Sequence, residues 1–278
     1  MKTTENNGAV IVEGVYDLDL AQTLDCGQSF RWEELSDKSF RGVAFGKCVT
    51  VSLEGNRLCI KGATAEDFEN IWKDYFDLSL DYGKIRDEIS KIHPVIAEAT
   101  KYAPGIRILR QESFEALCTF IISQNNNIKR IKGIVQRLCE NFGEEIEENT
   151  FAFPTAEKLA KLTPDDLAPL RAGFRNRYII DASKKVESGE ISLEKCISCD
   201  YDEARAELMK ITGVGVKVAD CTLLFGMHRI EAFPVDVWMK RALEKLFGGM
   251  TASDFGEYAG IAQQYIFHYS RMNPNLFE

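Results

Sequence analysis

The chain changes its hydrophobic periodicity once, between about residues 62 and 90, and this change restricts the fold more than any other feature. Before it, short runs of β-branched and aromatic residues, separated by turn residues such as Glu54-Gly55-Asn56, indicate strands. These runs are AVIVE, SFRW, SFRGVAFG, CVTVSL and RLCIKG. Their close spacing predicts an antiparallel meander, with short helices at DLAQTLDC and AEDFENIWKDYF.

After about residue 90 the strand signals disappear and amphipathic helical patterns follow one another. Ser113 is predicted to cap FEALCTFIISQ, the next helix covers NIKRIKGIVQRLCENFG, and Thr163-Pro164-Asp165-Asp166 has the composition of a helix start. The sequence therefore predicts an α+β fold. Its parts are a small N-terminal antiparallel β-sheet domain with helices, residues 1–95, and a mainly α-helical region, residues 96–278.

Composition indicates an intracellular globular protein. The 278 residues, 45% of them apolar, can bury a large core, and no apolar run approaches the roughly 18 residues that span a bilayer. The N-terminal residues resemble neither a signal peptide nor a presequence, so we expect a cytoplasmic location, or the nucleoid in a prokaryote. The eight cysteines are dispersed, which favours reduced thiols. Cys196 and Cys199 form a CISC without further ligands, so no metal site is expected.

The net charge of −9 argues against DNA binding when it is applied to the whole chain, because Lys and Arg supply the attraction to phosphate. The charge is unevenly distributed, however. Residues 101–143 hold seven basic and three acidic residues. The sequence therefore allows a local basic face on an acidic protein, although strong nonspecific affinity for DNA is not expected.

The most informative stretch is EARAELMKITGVGVKVADCTLLFGMHRIEAFPVDVW, residues 203–238. A first helix is broken by a tight hairpin that contains Gly213 and Gly215, and a second helix starts at once. The backbone N–H groups at the start of the second helix offer a phosphate a close, positively polarised seat. This pattern predicts a DNA-binding helix-hairpin-helix, although glycine hairpins also serve helix packing alone.

Lys217 lies two residues beyond Gly215, in the first turn of the second helix. A cation at a helix N-terminus opposes the helix dipole, and this favours the neutral amine. A neutral lysine is a nucleophile able to form a Schiff base. The alternative is a surface lysine that contacts a phosphate.

Asp236 follows nineteen residues after Lys217, in FPVDVW and before the start of the next predicted helix. A carboxylate there would stabilise positive charge that develops on a sugar. Its alternative role is an N-cap, and the two roles are compatible because a capping aspartate is held rigidly.

GVGVKVADC followed by PVDVW closely resembles the signature of helix-hairpin-helix (HhH-GPD) base-excision DNA glycosylases, and its lysine resembles their bifunctional glycosylase/lyase branch. Three further segments resemble 8-oxoguanine DNA glycosylase/lyase, in matching order and at similar separations. They are CGQSFRW (26–32), SQNNNIKRIKGIVQRLCENFG (123–143) and AGIAQQYIF (259–267). The resemblance covers most of the chain from about residue 10.

The resemblance implies a bifunctional enzyme that flips 8-oxoguanine out of double-stranded DNA, preferably where it lies opposite cytosine, and excises it. Lys217 would be the nucleophile at C1′, and Asp236 its electrostatic and proton-handling partner. The Schiff base formed on Lys217 would then allow β-elimination of the 3′ phosphate. Gly213 and Gly215 would contact the DNA backbone.

The same resemblance assigns four residues to the flipped base. The backbone carbonyl of Gly27 would accept a hydrogen bond from N7–H, a proton that 8-oxoguanine has and guanine lacks. Phe267 and Cys221 would sandwich the base, and Gln263 would read its Watson–Crick edge. Without the family, Phe267 on a helical face is better interpreted as a core residue.

Four more residues match those that fill the vacated stack and read the orphaned cytosine. They are Asn125, Arg130, Phe174 and Arg175, with Phe174 at the wedge position beside the gap. Without the family, the amides around Asn125 are helix caps and the arginines of GFRNRY form a solvated face.

Two residues depart from the family pattern. Phe174 replaces a typical tyrosine, which puts strict opposite-base choice in doubt, and Trp238 stands where a histidine near the DNA backbone is common. The four-cysteine iron–sulfur loop of other glycosylase branches is missing after Cys221, so no cluster, metal or organic cofactor is expected. The expected partner is double-stranded DNA containing oxidised guanine, bound by a monomer.

Two rival functions stay open on the sequence alone. An alkylated-base or adenine glycosylase would share the fold but act through water without the lysine, so Lys217 distinguishes it. A noncatalytic helix-hairpin-helix module would bind duplex DNA and leave every lesion intact.

Overall fold

The computed structural model describes residues 1–277 and places a six-stranded antiparallel sheet in the N-terminal part of the chain. The strands are β1 Lys2–Asn6, β2 Ala9–Glu13, β3 Trp32–Glu34, β4 Phe40–Ala44, β5 Lys47–Glu54 and β6 Arg57–Lys61, in the order β1-β2-β6-β5-β4-β3. The predicted meander is confirmed for β3 to β6, and β2 adds to it by pairing with β6. Strand β1 is not predicted by the sequence pattern, because its KTTEN is almost entirely exposed.

Helices dominate the rest of the described chain, which confirms the predicted α+β fold. They are α1 Leu20–Leu24, α2 Ala65–Asp67, α3 Lys73–Tyr75, α4 Tyr82–Ile89, α5 Pro94–Tyr102, α6 Ser113–Ser123, α7 Ile128–Phe142, α8 Ala156–Ala160, α9 Arg175–Glu187, α10 Leu193–Ser198, α11 Tyr201–Leu208, α12 Val216–Met227, α13 Val237–Leu246 and α14 Ala259–Met272. A π-helical turn, Phe68–Trp72, joins α2 to α3, and 3₁₀ segments lie at Ala168–Leu170, Ala252–Tyr258 and Pro274–Phe277. None of the helices between residues 1 and 277 combines the length and apolar character that a membrane crossing requires.

A small hairpin corrects the expectation that strands end by residue 90. Strands β7 Glu145–Glu147 and β8 Thr150–Phe151 pair through a turn in which Asn149 adopts left-handed backbone angles, with φ 55°. Asparagine tolerates this conformation better than most residues. The hairpin lies against the sheet domain, where the Glu147 carboxylate accepts a hydrogen bond from Arg41 of β4.

The predicted N-cap at Ser113 is wrong. Glu112 is the N-cap of α6, and the Ser113 hydroxyl instead donates to the carbonyl of Gly226 on α12 at 2.8 Å. The two helices approach closely at this point, because a Cβ on Gly226 would lie only 2.7 Å from Cβ of Ala116. The Ser113 hydroxyl is therefore used in a contact between α6 and α12 and does not cap α6.

The prediction of a helix that starts at Thr163 is also wrong. The Thr163 backbone N–H donates to Asp166 Oδ2 at 2.8 Å, but the Thr163 hydroxyl donates to the same oxygen at 2.7 Å, so only half of a capping box forms. The turn then leads into the 3₁₀ segment Ala168–Leu170, which ends where Arg171 takes a left-handed φ of 54°. The local start signal is real, but the chain leaves helical geometry within one turn.

The sheet packs on one face against the helical segment α2–α3. Trp32 on β3 meets Trp72 edge-on, with ring centroids 6.5 Å apart, and its Nε1 donates to Tyr75 Oη at 2.6 Å. This core also contains the inward side chains of β2, β5 and β6, among them Val10, Val51 and Ile60. The indole N–H of Trp32 is therefore satisfied inside the core, which favours burial of this side chain.

A second, larger core surrounds the paired helices α6 and α12. Leu117 and Ile121 of α6 and Leu223 of α12 are fully buried. Phe120 and Phe225 stack across the pair, with ring centroids 5.3 Å apart. The packing of the two helices fixes the N-terminal end of α12, where Lys217 lies.

A buried polar cluster holds the opposite end of α12 against the sheet domain. The Asp77 carboxylate is fully buried and lies 3.0 Å from His228 Nε2, just beyond α12, and 2.6 Å from Arg110 Nη2. Burial opposes ionisation of Asp77, yet the hydrogen bond from His228 and the charges of His228 and Arg110 hold its pKa below the usual range. Both ends of α12 are therefore anchored.

Candidate active site

The helix-hairpin-helix predicted from the sequence is present as α11, a hairpin and α12. Gly213 has a φ of +80° in this hairpin, and a Cβ on it would meet the ring of Tyr178. Gly215 is the N-cap of α12, and a Cβ there would meet nothing within 4 Å. The hairpin is thus closely packed on the Gly213 side and open at Gly215.

Lys217 lies in the first turn of α12, as predicted. Its Nζ donates to Ser123 Oγ at 3.1 Å and lies 5.3 Å from the ring centroid of Phe120. The Ser123 hydroxyl donates its own proton to the Phe120 carbonyl at 2.7 Å, so its lone pairs face the amine. Ser123 therefore orients the amine, a role that sequence reasoning missed.

Asp236 is the N-cap of α13 and accepts a hydrogen bond from the Met239 backbone N–H at 2.8 Å. The capping interpretation is confirmed. One carboxylate oxygen is held by this bond, and the side chain also lines the pocket that contains Lys217. An aspartate fixed in this way is suited to electrostatic stabilisation of a nearby positive charge.

The structure brings six of the predicted site residues into one narrow pocket. They are Gly27, Lys217, Cys221, Asp236, Gln263 and Phe267. The same pocket is lined by four residues that sequence reasoning did not select, namely Phe120, Phe225, Pro234 and Gln264. Gln264 is adjacent to Gln263, and Pro234 precedes Asp236 by two residues, so neighbouring positions were the available signal.

Gly27 and Phe267 lie next to each other in the lining of the pocket. The φ of Gly27 is +93°, a conformation that L side chains rarely adopt. A Cβ on Gly27 would also lie 3.1 Å from Ile128 and 3.5 Å from the Phe267 ring. The backbone conformation therefore favours glycine at this position, whereas a Cβ would require only a small shift of the Ile128 side-chain tip.

Gln263 is only 4% exposed, and its side-chain oxygen has no hydrogen-bond partner among residues 1–277. A buried amide oxygen without a partner costs free energy, so it favours a ligand that supplies a donor. Cys221 lies nearby in the same pocket, and burial raises the pKa of its thiol to about 11 even though the positive charge of Lys217 opposes this. The thiol is therefore protonated near neutral pH.

The other predicted residues lie outside this pocket, around the α6–α7 turn and the start of α9. Asn125 takes a left-handed φ of 55° in the turn, and Asn127 caps α7 by accepting the Arg130 N–H at 2.9 Å. The capping interpretation of the amide run is confirmed for Asn127. The side chain of Arg130 is exposed on the first turn of α7.

Arg175 is 5% exposed, so the interpretation of a solvated arginine pair is wrong for it, whereas Arg177 is exposed. Its Nε donates to the Gln124 carbonyl at 2.9 Å and its Nη1 to the Ala172 carbonyl at 2.9 Å. Burial and the positive charge of Arg130 lower its pKa. Arg175 is thus held against Gln124, the residue that follows Ser123.

Phe174 is 47% exposed, and its ring meets Tyr178 edge-on with centroids 5.5 Å apart. Tyr178 also contacts Gly213, so the exposed phenylalanine and the hairpin share one support. Trp238 is half-buried and lies 6.2 Å from the Phe277 ring centroid, beside Arg241. An indole at this position therefore packs within the fold.

Two protein-family models together match most of the chain. Residues 10–117 match the family model described as “8-oxoguanine DNA glycosylase, N-terminal domain”, and residues 118–256 match “HhH-GPD superfamily base excision DNA repair protein”. The Saccharomyces cerevisiae protein named “N-glycosylase/DNA lyase” is 32% identical, over 82% of this chain and 68% of the relative. The chain belongs to the 8-oxoguanine DNA glycosylase family.

Solved structures similar to this 8-oxoguanine DNA glycosylase family member share its complete architecture. “Structure of MBOgg1 in complex with low affinity DNA ligand” has a TM-score of 0.95 at 43% identity, over 98% of this chain and 99% of that one. The Clostridium acetobutylicum 8-oxoguanine glycosylase/lyase, in complex with dsDNA containing cytosine opposite to 8-oxoG, has a TM-score of 0.94 at 39% identity, over 99% of each chain.

Proposed function

We propose that this protein is a bifunctional DNA glycosylase and AP lyase that excises 8-oxoguanine, preferably opposite cytosine, during base excision repair. The observation that carries the proposal is one pocket lined by the Lys217 amine, the capping carboxylate of Asp236 and the buried amide of Gln263. A nucleophile, a negative charge and a base-reading group are the parts that cleavage of a glycosidic bond requires.

In the proposed chemistry, the neutral amine of Lys217 attacks C1′ of the flipped nucleotide. The bond from C1′ to the base breaks, and the base leaves with the bonding electrons and a proton derived from the amine. Asp236 stabilises the positive charge that develops on the sugar. As the sugar ring opens, O4′ takes a proton from solvent and a protonated Schiff base forms between Lys217 and C1′. Transfer of a C2′ proton to solvent then expels the 3′ phosphate, and hydrolysis of the Schiff base by water releases Lys217.

Recognition of the base is assigned to the pocket walls. The Gly27 carbonyl accepts from N7–H of 8-oxoguanine, and the partnerless oxygen of Gln263 accepts from an N–H on the Watson–Crick edge. Phe267 and the protonated thiol of Cys221 cover the two faces of the base. Flipping costs a few kcal/mol of unstacking, which these contacts offset.

The DNA left behind is assigned to the α6–α7 turn and the start of α9. Exposed Phe174 inserts beside the gap, Asn125 fills the vacated stack, and the guanidinium groups of Arg130 and Arg175 read the orphaned cytosine. Arg175 contacts Gln124 and Lys217 contacts Ser123, so the cytosine reader and the nucleophile bind adjacent residues at the C-terminal end of α6. Gly213 and Gly215 place the hairpin against a phosphate of the DNA backbone. The protein is proposed to bind DNA as a monomer.

The test is Lys217→Gln, assayed on a duplex with 8-oxoguanine opposite cytosine. The variant should bind this duplex but release no base, and borohydride should trap the wild-type protein on DNA and leave the variant free. Lys161→Gln, at an exposed lysine just beyond α8, is the matched control and should excise normally.

Near wild-type excision by Lys217→Gln would reduce Lys217 to a phosphate contact and refute the mechanism. It would also favour an alkylated-base or adenine glycosylase that acts through water. A wild-type protein that binds duplex DNA and leaves a panel of lesions intact would favour the noncatalytic module instead.

A further inference from the structure

The segment that carries Gly27 is a loop, Asp25–Gln28, between α1 and β3, and it has little regular structure of its own. A carbonyl that must tell N7–H from a bare N7 has to be held still, because hydrogen bonds weaken steeply with poor angle and distance. The contacts that hold this loop are therefore important for any base that meets the Gly27 carbonyl.

Gln264 holds the loop from α14. Its Nε2 donates to the Cys26 sulfur at 2.9 Å and lies 3.4 Å from the Cys26 carbonyl oxygen, and the side chain is 2% exposed. Its neighbour Gln263 leaves its oxygen without a partner in the same pocket. The two consecutive glutamines thus differ: one is partnered by the loop, and the other has an acceptor available for a ligand.

A second α14 side chain acts on the same loop. Arg271 Nη2 donates to the Asp25 carbonyl at 3.2 Å, and its guanidinium carbon lies 5.9 Å from the ring centroid of Phe267. Helix α14 therefore carries Phe267, which lines the pocket, together with two side chains that hold the loop of Gly27.

The loop is also fixed from the side away from α14. Gln28 is fully buried, and its Nε2 donates to the carbonyls of Thr23 at 2.8 Å and Arg107 at 2.7 Å. Burial raises the pKa of the Cys26 thiol to about 11, so the thiol keeps its proton and donates it to the Thr23 carbonyl at 3.2 Å. With its proton directed there, the sulfur presents lone pairs to Gln264.

We infer that Gln264 is a positioning residue for lesion specificity: by binding Cys26 it sets the distance and angle of the Gly27 carbonyl relative to Phe267. This inference rests on the proposed function and assigns to it a residue that acts through the loop of Gly27. Loss of the Gln264 donor releases the loop from α14, and the Gly27 carbonyl then discriminates less between 8-oxoguanine and guanine. The effect is expected on selectivity rather than on general affinity for DNA.

The experiment measures dissociation constants for two duplexes, one with 8-oxoguanine and one with guanine opposite cytosine, in a Lys217→Gln background that cannot excise. Gln264→Met, which keeps the volume and removes the donor, should narrow the ratio of the two constants about threefold to tenfold, as expected for one lost hydrogen bond. It should do so by weakening binding of the lesion duplex, with the undamaged duplex bound as before. Gln136→Met, on the exposed face of α7, is the matched control and should leave the ratio unchanged.

Because Gln264 is buried, Arg271→Met provides a second variant at a half-buried side chain, and it should shift the ratio in the same direction. Amide hydrogen exchange in the segment 24–30 should quicken in both variants. The inference is overturned if the ratio of the two dissociation constants is unchanged in both variants. An equal loss of affinity for both duplexes is one such result. If the Lys217→Gln protein itself binds both duplexes equally, the proposed function fails, which is a different result from an unchanged ratio.

Discussion

The ring of Tyr178 occupies the space that a side chain on Gly213 would need: a Cβ built on Gly213 would lie 2.3 Å from Tyr178 Cδ2. Two residues further along, Gly215 faces open space. The two glycines look equivalent in GVGVK, yet the structure gives them different constraints. Gly213 is required by the fold of the hairpin. Gly215 has no such packing constraint, and its lack of a side chain leaves room for a ligand to approach the backbone.

Substitution of the two glycines should therefore separate folding from DNA binding. Gly213→Ala should lower the free energy of unfolding by roughly 2–4 kcal/mol, through a strained positive φ and the clash with Tyr178. Gly215→Ala should leave stability nearly unchanged and weaken binding of duplex DNA. Denaturant unfolding and duplex affinity at a fixed salt concentration measure the two effects. Normal DNA affinity in Gly215→Ala would contradict the proposed phosphate seat.

Two substitutions should separate the N-capping role of Asp236 from its electrostatic role in catalysis. Asp236→Asn keeps an N-capping oxygen for the Met239 N–H, so stability should change little, while single-turnover excision should fall at least about 100-fold as the charge is lost. Asp236→Ala should lose the same rate and, in addition, roughly 1 kcal/mol of stability. Excision rates, dissociation constants and unfolding curves are compared. An Asp236→Asn rate close to wild type would leave only the capping role.

A buried carboxylate three residues beyond Lys217 should make stability depend on pH. Burial raises the pKa of Asp220 from 3.8 to about 6, although a hydrogen bond from Tyr201 at 2.7 Å and the charge of Arg205 oppose this. Between these two values the folded protein keeps a proton that the unfolded chain has lost, so stability falls as pH rises. The loss is complete above about pH 6.

Asp220→Asn should therefore flatten the pH dependence of unfolding, because its amide oxygen still accepts from Tyr201 and carries no charge. The variant should be more stable than wild type by roughly 2–3 kcal/mol at neutral pH, with the difference shrinking towards about pH 4. Asp165→Asn, at an exposed site, is the control. Parallel curves of unfolding free energy against pH for wild type and Asp220→Asn would refute this.

Local patterns predicted those parts of the fold in which short-range and tertiary preferences agree. Strands β2, β4, β5 and β6 and the helix-hairpin-helix follow from periodicity and glycine placement. Strand β1 could not be found, since an exposed outer strand needs no apolar alternation. Ser113 and Thr163 failed for different reasons: the Ser113 hydroxyl bonds to the neighbouring helix α12, whereas the turn at Thr163 continues as a 3₁₀ segment and not as an α-helix.

The candidate site was predictable as a set of residues but not as a geometry. Family motifs selected six residues of the pocket, and no local pattern could place the Ser123 hydroxyl against Lys217, because the two are 94 positions apart. The burial of Arg175 was equally invisible, since it depends on the Gln124 carbonyl from another helix end. Long-range contacts of this kind require the assembled fold.

The predicted division at residues 95 and 96 and the monomeric state stay predictions. The core under the sheet includes Leu109, and the core around α6 and α12 includes four residues that precede residue 96, so side chains cross that division in both directions. The four are Phe30, Tyr82, Ile85 and Ile89. Limited proteolysis and light scattering would test the two expectations.

The excision rate should depend on which base lies opposite the lesion. A guanidinium group matched to acceptors on the pairing edge of cytosine meets a donor when adenine is present, at a cost of about 1–3 kcal/mol. Wild-type protein should therefore prefer 8-oxoguanine opposite cytosine over adenine by at least roughly tenfold, and Phe174→Tyr should widen that preference. Excision rates opposite all four bases measure it.

Arg130→Ala and Arg175→Ala should narrow this preference more than they lower excision of an unpaired lesion in a bulge. Arg175→Ala should also lower stability, because the buried carbonyls of Gln124 and Ala172 lose their donor, whereas exposed Arg130 carries no such cost. Arg177→Ala, on the exposed face of α9, is the control for a general loss of positive charge. If base preference is the same in both variants as in wild type, the arginines contact phosphate or solvent. The assignment of the cytosine readers would then be withdrawn even if Lys217 passes its own test, because no step at C1′ depends on them.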